Sequence, residues 1–181
     1  MDPVRELKVR AEILKKALAS ADSGALERLR VLPEMRRAAA PALAATVASI
    51  RRKHCLAVVA REHGFSSWAH ALRVLDGDPG EVDFGTMLYG ESSGGFLHPW
   101  FATYPEARAC MDDATRSGAR PFLLAFGRQF FVAEGEFVTT LGLDPQDGDW
   151  QALAWDWARP RDGGARRRLY AKRLAALRGT R

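Results

Sequence analysis

The sequence predicts an α+β protein built in two parts. Three observations carry that expectation: apolar residues recur at helical spacing through residues 1–76, turn formers cluster at Asp76-Gly77-Asp78-Pro79-Gly80, and short apolar runs suited to strands follow. An all-helical module is expected over 1–76, and a small antiparallel-sheet α+β domain with a basic C-terminal helix over 81–181. With 181 residues, 47% of them hydrophobic and 27% charged, the chain has the composition to bury a core.

The first part reads as consecutive helices. Leu7, Ala11, Leu14 and Leu18 fall on one face of an amphipathic helix whose other face is largely Lys and Arg. Asp22-Ser23-Gly24 breaks it, and Asp22 or Ser23 caps a second helix carrying Leu26, Leu29 and Leu32. Pro33 and Pro41 bound that helix. A third stretch runs from Pro41 toward His63 with an interruption near Arg51 to Lys53. Gly64 suits the left-handed residue that closes it, and Ser66 or Ser67 caps the short helix SSWAHALRVL.

The segment HCLAVVAREHGFSSWAHALRVL, residues 54–75, resembles the V-A-R-x-x-G-F-x-S-W-x-x-x-L pattern of a helical module found near the N-termini of many bacterial proteins. Such modules precede ankyrin repeats, catalytic domains or domains of unknown function, and a related pattern occurs in some glyoxalase-superfamily proteins. The upstream LKVRAEILKKALASADSGALERLRVLP is similar to the module's preceding helices. The resemblance spans about residues 4–76, implies an all-helical fold, and implies no catalytic residue. Physically the pattern is a packed corner: Gly64 turns the chain, Phe65 and Trp68 fill the angle, and Val58, Val59 and Leu72 wall it. A DNA-reading helix-turn-helix is the alternative, but its only base-reading side chain, Arg73, lies at the wrong end of the second helix.

In the second part, VDFGTMLY at 82–89 alternates like a strand, and GFLHPWFATY at 95–104 is another whose Pro99 confines it to an edge or bend. Thr103 to Glu106 has the form of a capping box with Pro105 in the first turn of a helix that Gly118 closes. RPFLLAF and RQFFVAE form a hairpin turning at Gly127, so the expected unit is β-β-α-β-β. GEFVTTLGL and DWQALAWDWARP read as helices, the second starting at Asp147 or Asp149. It carries Trp150, Leu153, Ala154 and Trp157 as a stripe for the core or a partner. The basic segment DGGARRRLYAKRLAALRG ends the pattern as a helix.

The net charge of +5 conceals an uneven distribution. Residues 1–76 carry +6, residues 77–158 carry −9, and residues 159–181 carry +8. A self-neutralising fold is expected, with Tyr170, Leu174 and Leu177 laid on the body and the arginines facing the acidic segment. The alternative is phosphate binding by Arg166, Arg167, Arg168, Lys172 and Arg173. No run of about 18 apolar residues is present, and the first residues lack the apolar centre of a signal peptide, so a cytoplasmic protein without membrane attachment is expected. Cys55 and Cys110 fit reduced, packed thiols. Residue usage rich in Ala, Arg, Leu and Gly suggests a GC-rich bacterial source.

Catalytic signatures are missing. GESSGGF, residues 90–96, lacks the Gly-Lys-Ser/Thr of a phosphate loop and the G-x-G-x-x-G of a dinucleotide fold. Ser92 and Ser93 lack a nucleophile elbow, and the acids around Cys110 disfavour its thiolate. His54, Cys55, His63 and His70 lack metal-ligand spacing, so no metal and no cofactor are expected. The ligand-binding candidates are His98, Trp100, Tyr104, Arg128 and Glu134. Among them His98 is expected on a solvent-exposed rim that Trp100 and Phe101 anchor, while Glu134 and Glu136 are first read as a helix start. The function this supports is a non-catalytic binding or protein-interaction module, its partner another protein or a small ligand. The alternatives are nucleic-acid binding by the C-terminal helix and an enzyme with a pocket around His98, Tyr104, Arg128 and Glu134.

Overall fold

The computed structural model describes residues 2–89 and 95–177, and the protein is α+β. It divides into two compact units, Val4–Leu72 and a second that runs from Arg73 onward and takes in the residues before Val4. The division lies inside a helix, a few residues ahead of the turn cluster at 76–80.

The first unit is helical. Helix α1 (Pro3–Ala19) buries Leu7, Ala11, Leu14 and Leu18, the residues of its helical-period stripe. Asp22 caps α2 (Ser23–Arg28) by accepting from the Ala25 N–H at 2.7 Å. Helix α3 (Ala40–Thr46) and α4 (Arg52–Glu62) are separated by a 3-10 turn and the extended Ile50 and Arg51, where an interruption is expected. Gly64 takes φ +83° after α4, and Ser67 Oγ accepts from the His70 N–H at the start of α5 (Trp68–Asp76). Phe65 is buried and meets the His70 ring edge-on at 5.7 Å. Val58 and Val59 are buried with Phe65, whereas Trp68 and Leu72 of the expected corner are half-buried.

In the second unit a three-stranded antiparallel sheet has the order β1-β3-β2, with β1 Trp100–Phe101, β2 Phe122–Phe126 and β3 Gln129–Ala133. Strands β2 and β3 form a hairpin around Gly127 (φ +56°) and Arg128, with Leu123 opposite Val132 and Leu124 opposite Phe131. The two faces differ. Helix α6 (Tyr104–Arg116) lays Ala107 and Met111 on Leu123, Ala125 and Val132, while Phe122 and Phe131 meet Trp150 and Phe137 on the other face.

Three local expectations fail. Residues 82–89 form no strand: Gly85 turns with φ +69° and its N–H is held by Asp83 Oδ1, so the backbone of this segment bonds the hairpin at Gly127 alone, while Phe84 and Tyr89 pack their rings on it. The sheet unit is β-α-β-β among the described residues. Thr103 donates its hydroxyl to Glu106 Oε2 at 2.7 Å instead of accepting from the backbone, so the capping box is not formed. After α7 (Gly135–Thr140), α8 (Gly148–Ala152) stops short, because Ala154 and Trp155 take φ +57° and +56°. Trp150, Leu153 and Trp157 are fully buried, but not as one helical stripe.

Helix α9 (Gly163–Ala176) is capped by Asp162, buries Leu169, Tyr170 and Leu174, and leaves Leu177 half-buried at its end. Its Tyr170 hydroxyl accepts from Trp157 Nε1 at 3.0 Å, with the rings 4.7 Å apart. Among the described residues no helix is long and apolar enough to cross a membrane.

Candidate functional site

The sequence candidates do not converge. Tyr104 and Arg128 line one cleft of about 790 Å3, His98 and Glu134 line a second of about 650 Å3, and Trp100 lines neither. Both clefts lie in the second unit. This removes the single pocket around His98, Tyr104, Arg128 and Glu134 on which the enzyme alternative depends.

The larger cleft is organised by Asp156, which is 2% exposed. The left-handed pair Ala154-Trp155 returns the chain to the sheet beside β2: the Leu123 N–H donates to Trp155 O, and the Trp157 N–H donates to Leu123 O, each at 2.9 Å. Backbone in that region costs an L-residue on the order of 1 kcal/mol, and here it sets the direction of Asp156. Its carboxylate accepts from the Tyr104 hydroxyl at 2.6 Å, from the Arg159 backbone N–H at 2.8 Å and from Arg108 at 3.4 Å. A buried acid with three donors is satisfied. Burial first, and then the Asp156 carboxylate, push the Tyr104 phenol up to about 12. Tyr104 therefore stays protonated at neutral pH.

The Arg159 guanidinium lies 4.1 Å over the Tyr104 ring, and Phe130 meets Tyr104 edge-on at 5.8 Å and Phe84 edge-on at 6.0 Å. Val82, Phe84, Phe130 and Pro160 make apolar walls. Arg166 also lines the cleft, 8% exposed, with Nη1 donating to Trp157 O at 3.1 Å. Sequence reasoning missed Asp156, Arg159 and the cleft role of Arg166. The signal for Asp156 was an acid inside an aromatic run, Trp155-Asp156-Trp157, where an unpaired carboxylate would be costly.

The second cleft reverses the expectation for His98. Its ring is packed among aromatics, 4.5 Å from Phe137, 5.3 Å from Phe131 and stacked on Phe96 at 5.9 Å, instead of standing exposed on a rim. Its Nε2 is buried with no partner among the described residues, and burial lowers its pKa against the opposing pull of Glu134. Burial thus favours the neutral imidazole over the charged one. Glu134 is exposed at the N-cap position of α7 without capping through its side chain, and Glu136 is in the first turn, as a helix start requires. Trp100 stacks on Phe131 at 4.6 Å at the sheet edge. Ser92 and Ser93 lie outside the described residues.

The basic residues of α9 are engaged by the chain itself. Arg167 donates to Asp2 at 2.9 Å and to Asp76 at 2.7 Å, Arg168 to Asp149 at 2.8 Å, and Lys172 to Asp147 at 2.5 Å and Asp149 at 2.7 Å. Arg173, 8% exposed, donates to Leu141 O at 2.7 Å and Met87 O at 3.3 Å. Arg173 thus faces inward, and Arg166 donates to the Trp157 and Ala158 carbonyls at the wall of the larger cleft. The histidines of the first unit are occupied too: Arg10 donates to His63 Nε2 at 2.6 Å, His63 Nδ1 bonds Val59 O at 2.9 Å, and His70 Nδ1 accepts from the Ser66 N–H. Burial raises the Cys55 thiol, and no cluster of three metal-binding side chains occurs among the described residues.

No protein family, curated protein or solved structure matches the chain.

Proposed function

We propose that this chain is a non-catalytic binding module that takes a small molecule in the cleft framed by Tyr104, Arg128, Phe130 and Arg159. The observation that carries this reading is the Asp156 centre. A cleft of a size that holds small ligands is built on a buried carboxylate that holds the Tyr104 hydroxyl and the Arg159 backbone in place and keeps the Tyr104 phenol protonated near pH 7. Rigid aromatic walls and fixed polar groups are what selective binding requires. The first unit is read, from its resemblance, as an accompanying helical module of a bacterial cytoplasmic protein.

The nucleic-acid alternative loses its main support because the α9 cations are engaged by acids and carbonyls of the same chain. A fragment screen followed by 1H–15N spectra of the labelled full chain tests the binding reading. Hits are expected to shift Tyr104, Arg128 and Phe130 together. Hits that gather around His98, or chemical conversion of a bound fragment, would overturn it.

A further inference from the structure

We propose that the cleft selects ligands bearing an anionic group on an apolar, flat body, a carboxylate or phosphate ester of an aromatic being the simplest form. This rests on the reading of the cleft as a binding site and adds the chemistry of its occupant. The inference follows from which charges around the cleft are already used. Of the lining acids, Asp76 is paired with Arg167 at 2.7 Å, Glu81 with Arg73 at 2.7 Å, and Asp78 accepts from the Gly80 N–H of its own turn at 2.9 Å. The lining cations are in the opposite condition. Arg128 and Arg159 are exposed and have no carboxylate partner among the described residues, and Arg166 is more than nine-tenths buried with only backbone carbonyls as acceptors.

A guanidinium offers five N–H donors in a planar fork, so these groups hold donor capacity suited to a carboxylate or phosphate. The cleft is also lined by the first residues of two long helices, Thr103 to Pro105 at α6 and Gly163 at α9. Helix N-termini carry partial positive charge and add to the same sign of field. The body of the ligand is selected separately. Phe84 and Phe130 give an aromatic wall, and the Arg159 guanidinium lies over the Tyr104 ring, so a flat apolar group meets rings while its acid meets the arginines.

The test uses the full chain and three probes of one shape: 2-naphthoate, 2-naphthyl phosphate and the uncharged 2-naphthamide. Titrations followed by 1H–15N spectra are expected to show both acids shifting Tyr104 and Phe130 and binding at least about tenfold more tightly than the amide. Arg128→Gln and Arg159→Gln are expected to weaken binding of the two acids far more than binding of the amide and so remove most of that preference, and Arg128→Lys to keep part of it. Circular dichroism confirms that each variant is folded. Equal binding of amide and acid would overturn the anion assignment and leave the cleft a binding site. Shifts from none of the probes would overturn both.

Discussion

The basic residues of α9 and the two arginines Arg128 and Arg159 carry the same charge and end in opposite states. In α9 the cations are dense in sequence, yet Arg167, Arg168 and Lys172 meet Asp2, Asp76, Asp147 and Asp149, and Arg173 turns inward to carbonyls. Arg128 stands alone in a two-residue hairpin turn and Arg159 stands beside Pro160, and both line the cleft without a carboxylate partner among the described residues. Arg166 belongs to both groups, an α9 residue that lines the cleft. A run of cations along a helix records how its faces are made. The charge left over after folding depends on which acids the rest of the chain brings to those faces.

The comparison breaks most severely if α9 loses its seat. Gly142, at φ +69°, lies so close to α9 that an added Cβ would collide with the Cβ of Ala176. Gly142→Ala is expected to cost about 3 kcal/mol, from a left-handed backbone and an overpacked contact together. Chemical denaturation would read the loss, and an unchanged midpoint would mean that α9 is not held there.

Arg173→Met should cost less, about 2 kcal/mol, because it removes a charged donor from the Leu141 and Met87 carbonyls while keeping an apolar stem. A thermal melt close to that of the unaltered protein would place Arg173 among the dispensable cations, with Arg128.

The outer face of α9 is sharpened by pH. Burial alone raises the Asp149 carboxyl, but hydrogen bonds from Arg168 and Lys172 outweigh it and hold the group below the ordinary carboxylate range. A depressed acid contributes stability that is present above its unfolded pKa, about 3.9, and is lost as pH falls through the folded value. The unaltered protein should therefore exceed Asp149→Asn by no more than about 1 kcal/mol near pH 6, since the partners are exposed. That margin should shrink progressively as pH falls below about 4 in urea unfolding. A margin independent of pH would show that the charge is not what Asp149 contributes.

The smallest effect belongs to the cleft. Arg128→Gln should change stability by less than about 0.5 kcal/mol, as for surface positions generally. A loss comparable to that of Arg173→Met would mean that Arg128 has a structural partner, and would weaken its assignment to a ligand.

Much of the fold was legible because its signals are local. The α1 stripe, the Asp22 cap, the Gly64 stop and the Gly127 turn each depend on residues within a few positions, and backbone conformation answers to them directly. The failures come where a turn inside the pattern, or a distant partner, outweighs the periodicity. Residues 82–89 alternate like a strand, but Gly85 and Asp83 make a turn instead. DWQALAWDW has helical spacing, but the backbone bonds of Trp155 and Trp157 to Leu123 end the helix and leave Ala154 and Trp155 left-handed. The candidate site was legible only in part. Tyr104 and Arg128 were found as residue types, whereas Asp156 was hidden because its value lies in donors 52 and 48 positions away.

By itself, then, the sequence determined an α+β chain with a helical first part, a β2–β3 hairpin and a basic final helix, because periodicity, caps and turns act over a few residues. The tertiary structure alone decided that His98 is packed among Phe96, Phe131 and Phe137, that Arg167, Arg168 and Lys172 of α9 meet acids of the chain, and that Arg128 and Arg159 meet none among the described residues. The physical reason is range. Burial and Coulomb interaction depend on distance in space, and folding brings Asp156 to Tyr104 and Asp2 to Arg167 across separations of 52 and 165 residues that no local pattern encodes.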